Sequence, residues 1–544
     1  MRRPGRAAVL SIEGVKGLDV TILITDDVDR QCVDILEAEG FRVEYHPALG
    51  PAEILKAVEP VEGLIVRSRS RVTSHVLEAG KKLKVVGRAG AGVDNIDVAA
   101  ATRHGIIVMN TPGGNTISTA EHTLSMMLAL ARNIPQANQS LREGKWERSA
   151  FVGTELYGKT LGVIGLGKVG SEVSRRASAF GMKIVAFDPA QSEEMAGKVN
   201  AQLVGLPDLL RQSDFITLHS PLIPETKGLI GKESLALCKH GVRIINCARG
   251  GIVDEAALLG ALESGAVAGA ALDVFEQEPP SNTPLIRHPN VVVTPHLAAS
   301  TEEAQEKVAI QIARQVADFL KGRGVSGSVN ADSISLGLKD ELRPFLLLGE
   351  KLGRLVAQLK DGKLKSVTVS ASGEPLGEFL PALGAAVLKG AFEGVLDEPV
   401  NYLNAPVIAR ERGIGVQLVR ESALLRYAQV LSVRYQTEKE SRHFSGTLFG
   451  EKDLRIVGID GFHFEMNPDG HLILYSNIDR PGMLAAVSSL LARAHINIAG
   501  LSLGRFESGS RALTVISIDT PAPEAVLKEI ALLDGVSDVK MITL

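Results

Sequence analysis

Three residues between positions 249 and 296 have types suited to moving a proton beside an anion: an arginine, a glutamate and a histidine. Arg249 stands in NCARGGIVDEAAL (246–258), a permanent charge among small and apolar residues, directly after the apolar run GVRII (241–245). Glu278 falls in EQEPP (276–280) and His296 in TPHLAAST (294–301), each just beyond another apolar run. A guanidinium grips a carboxylate through two parallel hydrogen bonds. An imidazole takes or returns a proton near neutral pH. A carboxylate beside that imidazole orients it and favours its charged form. At the carboxyl ends of parallel strands, where α/β proteins bind ligands, the trio would hold the carboxylate of a 2-hydroxy acid and take its hydroxyl proton as hydride leaves C2.

The hydride needs an acceptor, and GLGKVG (165–170) points to one. A G-x-G-x-x-G alone is weak. Here it follows the apolar run LGVI, opens the helical stretch SEVSRRASAF, and precedes a second apolar run, KIVAFD, that ends in Asp188 about 20 residues on. Gly165 would permit the tight turn, Gly167 the approach of a pyrophosphate, and Gly170 close helix–strand packing. The helix start favours phosphate charge. Asp188 would accept from the ribose hydroxyls and repel a 2′-phosphate, which favours NAD over NADP.

The elements that must carry these residues follow an α/β beat. VTILITDD (20–27), FRVEYH, GLIVRS, LKVVGRAGAGVDNID and IIVMNTPG read as strands separated by helical stretches. STAEHTLSMMLALARNI (118–134) reads as one long core helix with an N-cap serine. The beat resumes from TLGVIGLGKVG (160–170) to NVVVTPH; EEAQEKVAIQIARQVADFLKG (302–322) is amphipathic, and the small, polar GRGVSGSVNADS after it reads as a linker. A third α/β region and a compact fourth follow. With 544 residues, several domains are expected. The net charge of −4 gives no electrostatic case for nucleic acid or an anionic membrane. No apolar run approaches the roughly 20 residues that cross a bilayer. The three cysteines, Cys32, Cys238 and Cys247, lie far apart, which indicates neither a disulfide framework nor a zinc site and fits a reducing cytoplasm. No metal is expected. The basic start, MRRPGRAAVL, lacks the apolar core of a secretory signal and reads as a frayed terminus, with an organelle-targeting remnant as the alternative.

GLGKVG, NCARGGIVDEAAL, ALDVFEQEPP and TPHLAAST resemble the signatures of the D-isomer-specific 2-hydroxyacid dehydrogenase family. The resemblance covers roughly residues 20 to 330 and matches that family's arginine, glutamate and histidine to Arg249, Glu278 and His296. It implies a flavodoxin-like substrate lobe over 18–115 with a return segment at about 302–330, and a Rossmann-type NAD-binding domain over 116–301. It also implies cofactor contacts at Lys168, Val169, Ser220, Ala248, Asp273 and His296, besides the three glycines and Asp188.

Arg67 and Arg88, each at the end of an apolar run in the first lobe, suit a substrate with a second anionic group such as a phosphate. Their segments, and GKWERSAFVGTEL (144–156), resemble those of the branch that oxidises 3-phospho-D-glycerate in serine biosynthesis. That likeness implies a homo-oligomer, dimer or tetramer, with Trp146 near the contact and Lys145 or Arg148 reaching a neighbour. Residues 336–465 resemble the intervening α/β domain of long members of that branch, with Arg410, Arg412 and Arg420 as a candidate anion site. Residues 466–544 resemble an ACT (βαββαβ) domain whose DRPG turn, through Asp479, and Asn497 would hold an effector, L-serine being the expected inhibitor. Two alternatives stay open: a hydroxypyruvate or glyoxylate reductase, and a nucleotide-sensing corepressor-like interaction protein, against which the two C-terminal domains argue.

Overall fold

Each apolar run read as a strand in the first lobe forms a short parallel strand: β1 (Thr21–Ile24), β2 (Arg42–Tyr45), β3 (Gly63–Val66), β4 (Val85–Arg88) and β5 (Ile107–Asn110). Their order, β2-β1-β3-β4-β5, is the flavodoxin-like arrangement. The computed structural model describes residues 20–281, 283–331, 342–396, 398–421, 426–507 and 509–544; the basic N-terminal stretch lies outside them.

The helix Glu302–Leu320 starts at a Thr301 cap, whose side chain accepts from Ala304 N, and returns to this first sheet. Its Val308, Ile312 and Val316 share one buried cluster with Ile22, Val85, Ile107 and Met109. The stretch read as a linker is ordered along β5 over 327–329: Asn110 N donates to Gly327 O at 2.9 Å and Val329 N to Val108 O at 2.8 Å. Small residues there serve a close approach, since a Cβ on Gly327 would meet Asn110 O at 2.7 Å.

The second sheet holds β6 (Thr160–Ile164), β7 (Lys183–Phe187), β8 (Ala201–Leu203), β9 (Phe215–Leu218), β10 (Val242–Asn246), β11 (Val267–Leu272) and β12 (Val291–Val293). Its order, β12-β11-β10-β9-β6-β7-β8, reverses direction at the β6/β9 boundary. That is the Rossmann switch point, where open parallel sheets leave a crevice. The expected long core helix is Thr116–Ala131; left-handed Asn133 (φ 50°) separates it from a second, shorter helix, Ile134–Arg142. The core helix starts earlier than expected, at an Asn115 cap, and Ser118 lies inside it, donating back to Asn115 O.

Among the described residues the third region has one parallel pair, β13 (Leu364–Ser372) with β14 (Gly415–Glu421). Antiparallel β15 (Val430–Thr437), β16 (Ser441–Phe449), β17 (Asp453–Ile459) and β18 (Phe462–Met466) complete its sheet. The fourth is βαββαβ, with β19 (His471–Ile478), β20 (Ile498–Arg505), β21 (Arg511–Ile518) and β22 (Val536–Thr543) in the order β20-β21-β19-β22. Among the described residues no helix is long and apolar enough to cross a membrane, and no group of three or more His, Cys, Asp or Glu residues could hold a metal ion.

Candidate active site

β10, β11 and β12 end in step: Asn246 pairs with Leu272, and Leu272 with Val293. The loops that leave these strands carry Arg249, Glu278 and His296 at the same edge of the sheet. Glu278 Oε2 lies 2.7 Å from His296 Nδ1, while Glu278 Oε1 accepts from Phe275 N at 3.2 Å. Partial burial alone would raise the Glu278 carboxyl, but the hydrogen bond and charge of His296 and the Phe275 N–H hold it below the usual glutamate range. With Nδ1 committed to Glu278, Nε2 is the nitrogen left to face a substrate.

His296 has a left-handed backbone (φ 54°), a conformation few non-glycine residues adopt. The strain is held by Asp273. Its main-chain oxygen accepts from His296 N at 2.9 Å, and its carboxylate accepts from Thr294 Oγ1 (2.5 Å), Leu297 N (2.7 Å) and Ala298 N (2.9 Å). His122 Nε2 approaches the same carboxylate at 3.2 Å. Asp273 is wholly enclosed, so it supports the histidine loop from beneath. A cofactor contact at its carboxylate, as expected from the resemblance, requires one of these donors to be exchanged.

Arg249 is framed by Asn246, the last residue of its strand. The Asn246 side chain donates to Arg249 O at 2.9 Å and accepts from Ala248 N at 3.0 Å. The guanidinium donates to Ala248 O (2.7 Å) and, across the cleft, to Asp94 (2.9 Å).

The first lobe supplies two more arginines. Val66 and Arg88 are partners in register, so Arg67, one residue further on, and Arg88 leave the sheet side by side. The loop behind Arg67 is fixed by buried Asp26, which accepts from Arg67 N (2.5 Å) and from Ser70 N and Oγ (3.1 and 2.5 Å). Asn95 Nδ2 closes it by donating to Arg67 O and Ser70 O at 2.7 and 2.6 Å. Arg67 Nη1 reaches Asp27 O at 3.1 Å. Arg88 is pushed down to about 10, first by burial and then by the nearby charges of Arg249 and Arg67. Its Nε is buried without a hydrogen-bond partner, a cationic donor awaiting an acceptor.

At the switch point, Gly165 has φ 91° and a Cβ there would meet His219 O at 2.6 Å. A Cβ on Gly170 would lie 2.0 Å from Gly165 O, so helix and strand pack closely only with glycine. Gly167 caps the helix Lys168–Ala179 with open space above it. Asp188 ends the next strand beside this loop, accepting from Leu166 N (2.8 Å) and Ala190 N (2.9 Å). Ser220 Oγ, in the loop after β9, is buried with no partner. Lys168 Nζ donates to Pro112 O at 3.0 Å, joining the glycine loop to the crossing between lobes. Val169 packs partly buried against the core. Open space over a helix start, an acceptor at the next strand end and an orphaned hydroxyl fit a dinucleotide.

The remaining expected residues are dispersed. Asp479 Oδ2 accepts from Arg505 at 2.8 Å, whereas Asn497 donates to Asp519 at 2.7 Å. β19 and β20 both run antiparallel to β21 and hence parallel to each other. Asp479 follows the end of one and Asn497 precedes the start of the other, which puts them roughly 25 Å apart in one chain. The expectation that Asn497 stands opposite Asp479 therefore fails within a single chain. Arg410 is exposed, Arg412 pairs with Glu398 and Arg420 with Glu374. Lys145 pairs with Glu143. Asp26, Asp94, Asn95 and Asn246 were not singled out by the sequence; the aspartates ending VTILITDD and the asparagine opening NCARGG were the visible signal.

Three family models match in succession: the NAD-binding domain of D-isomer-specific 2-hydroxyacid dehydrogenases over residues 124–298, the D-3-phosphoglycerate dehydrogenase intervening domain over 341–460, and the ACT domain over 471–531. D-lactate dehydrogenase from Aquifex aeolicus, solved with NAD and lactic acid, has a TM-score of 0.50 and 29% identity, covering 56% of this chain and 96% of its own. The chain belongs to the D-isomer-specific 2-hydroxyacid dehydrogenases. Within them it falls among the D-3-phosphoglycerate dehydrogenases: those of Synechocystis and Archaeoglobus fulgidus are each 43% identical, over 96% of this chain and 94% and 100% of theirs.

Proposed function

We infer that the protein oxidises 3-phospho-D-glycerate to 3-phosphohydroxypyruvate with NAD, the opening step of L-serine biosynthesis. The observation that carries this reading is the gathering of Arg67 and Arg249 about Arg88, with Arg249 on the same sheet edge as the Glu278–His296 pair. Bound NAD supplies the hydride acceptor, in the cleft formed by Gly165, Gly167, Gly170, Asp188, Ser220 and Ala248. Arg249 anchors the substrate carboxylate and polarises the adjacent oxygen. Arg67 and Arg88 take the phosphate, whose charge answers the unpartnered Nε of Arg88. His296 Nε2 accepts the C2 hydroxyl proton as the C2–H bond breaks, and Glu278 stabilises the imidazolium that results. In the reverse direction the same nitrogen returns the proton.

The assembly reading is a homo-oligomer. Trp146, Val152 and Tyr157 are 77%, 80% and 78% exposed on and just beyond one segment, an apolar surface of the kind that a neighbouring subunit covers. We further propose that L-serine inhibits at the ACT domain, with Asp479 of one chain facing Asn497 of another, and that the protein works in the cytoplasm, where its unpaired cysteines stay reduced. A substrate panel with NAD and NADP, with and without L-serine, tests the activity, cofactor and regulation together.

A further inference from the structure

The guanidinium that would hold the substrate carboxylate already holds one. Arg249 Nε donates to Asp94 Oδ2 at 2.9 Å, although Arg249 belongs to the NAD-binding sheet and Asp94 to the loop after β4 of the first lobe. We propose that Asp94 occupies the place of the substrate carboxylate on Arg249 until substrate arrives, and so sets the affinity of the cleft; this rests on the dehydrogenase reading of the site.

The seat is shaped for this contact. The guanidinium lies against Gly92, where a Cβ would come within 2.1 Å of Arg249 Nη2. The loop thus touches Arg249 both through bare backbone at Gly92 and through a carboxylate two residues later.

The balance of charge explains why a stand-in is useful. Burial, together with the neighbouring cations Arg249 and Arg67, disfavours the charged form of Arg88. The acids acting in the other direction on Arg88 are Asp94 and Asp26. Asp26 is 2% exposed and is committed to Arg67 N, Ser70 N and Ser70 Oγ. Asp94 is different: its side chain is 65% exposed. It can swing into water without leaving a buried group unpaired. An arriving carboxylate then exchanges with Asp94 on Arg249, while the phosphate adds negative charge at Arg67 and Arg88. Such an exchange couples the two lobes, because the contact released is one that spans them.

A pair this exposed is weak, so its release changes affinity by a small factor. Asp94→Asn keeps the size of the side chain and removes its charge. KM for 3-phosphoglycerate should fall about two- to fivefold, with kcat within about twofold of wild type, the range expected for losing one exposed ion pair. The Kd of 3-phosphoglycerate for the NADH-bound protein, read by calorimetry without turnover, should fall by the same factor. Asp94→Ala should behave alike and serves if the asparagine variant does not fold. A kcat loss beyond tenfold with KM unchanged would mean that Asp94 positions Arg249 throughout turnover. A raised KM, or no change in either constant, also overturns the proposal. If wild-type protein neither binds nor oxidises phosphoglycerate, the failure lies in the dehydrogenase reading itself, and the proposal falls with it.

Discussion

Glu278 and His296 are 2.7 Å apart, carboxylate oxygen to Nδ1, and the histidine is held in a left-handed backbone by hydrogen bonds to Asp273. Two acids thus serve one imidazole: Glu278 orients the ring, and Asp273 fixes the loop that carries it.

That division predicts separable variants. His296→Ala should lower kcat by about 10²–10⁴-fold, the usual worth of a positioned general base, with NADH affinity nearly kept. Glu278→Gln should lower kcat less and weaken its pH dependence. Stopped-flow rates and NADH fluorescence titration measure both quantities; loss of NADH binding in step with kcat would contradict the division.

Asp273 also predicts a dependence of stability on pH. Burial alone would raise its carboxyl, but bonds from His122, Thr294 and the N–H groups of Leu297 and Ala298 hold it below the usual aspartate range. A carboxyl depressed in the folded state stabilises the fold above its unfolded value, about 3.9. That contribution is lost as pH falls through the lower folded value. Asp273→Asn should therefore melt earlier at pH 7 and lose less further stability on acidification than wild type. Parallel melting-temperature curves from pH 7 down to pH 3 would argue against it.

Much of this site was legible in the sequence. The glycine loop, Asp188 and the trio at 249, 278 and 296 sit at the ends of apolar runs, because a parallel sheet gathers its strand ends on one edge. The supports were not legible. Asp26, Asn95 and Asn246 look in sequence like ordinary polar residues of turns, and only the fold shows them bracing the loops of Arg67 and Arg249. The end of the core helix at Ala131, short of the expected 134, was hidden because the apolar spacing continues to Ile134; a single left-handed residue, Asn133, leaves that pattern intact. Asp479 and Asn497 looked like neighbours because spacing does not disclose that β19 and β20 run in the same direction.

Cofactor choice should follow Asp188. Wild-type protein should strongly prefer NAD, and Asp188→Ala should narrow the ratio of kcat/KM for NAD over NADP. Comparable efficiency with both cofactors in the unmodified protein would remove the role given to this carboxylate.

Serine binding should need two chains. Because the candidate residues lie at opposite ends of one ACT sheet, Asp479→Ala and Asn497→Ala should each abolish the calorimetric heat of L-serine binding to the proposed oligomer. Protein diluted until it is monomeric should lose it too. A monomer that binds serine as tightly as the oligomer would place the site elsewhere.

The central claim, that the arginine cluster reads a phosphorylated 2-hydroxy acid, is tested most directly by steady-state kinetics of Arg88→Ala with NAD on 3-phosphoglycerate and on unphosphorylated D-glycerate. The predicted result is a loss of about 1.5–3 kcal/mol in kcat/KM for phosphoglycerate, the worth of one charge-assisted contact, and little change for glycerate. Equal losses on both substrates, or a wild-type protein that prefers glycerate, would contradict it.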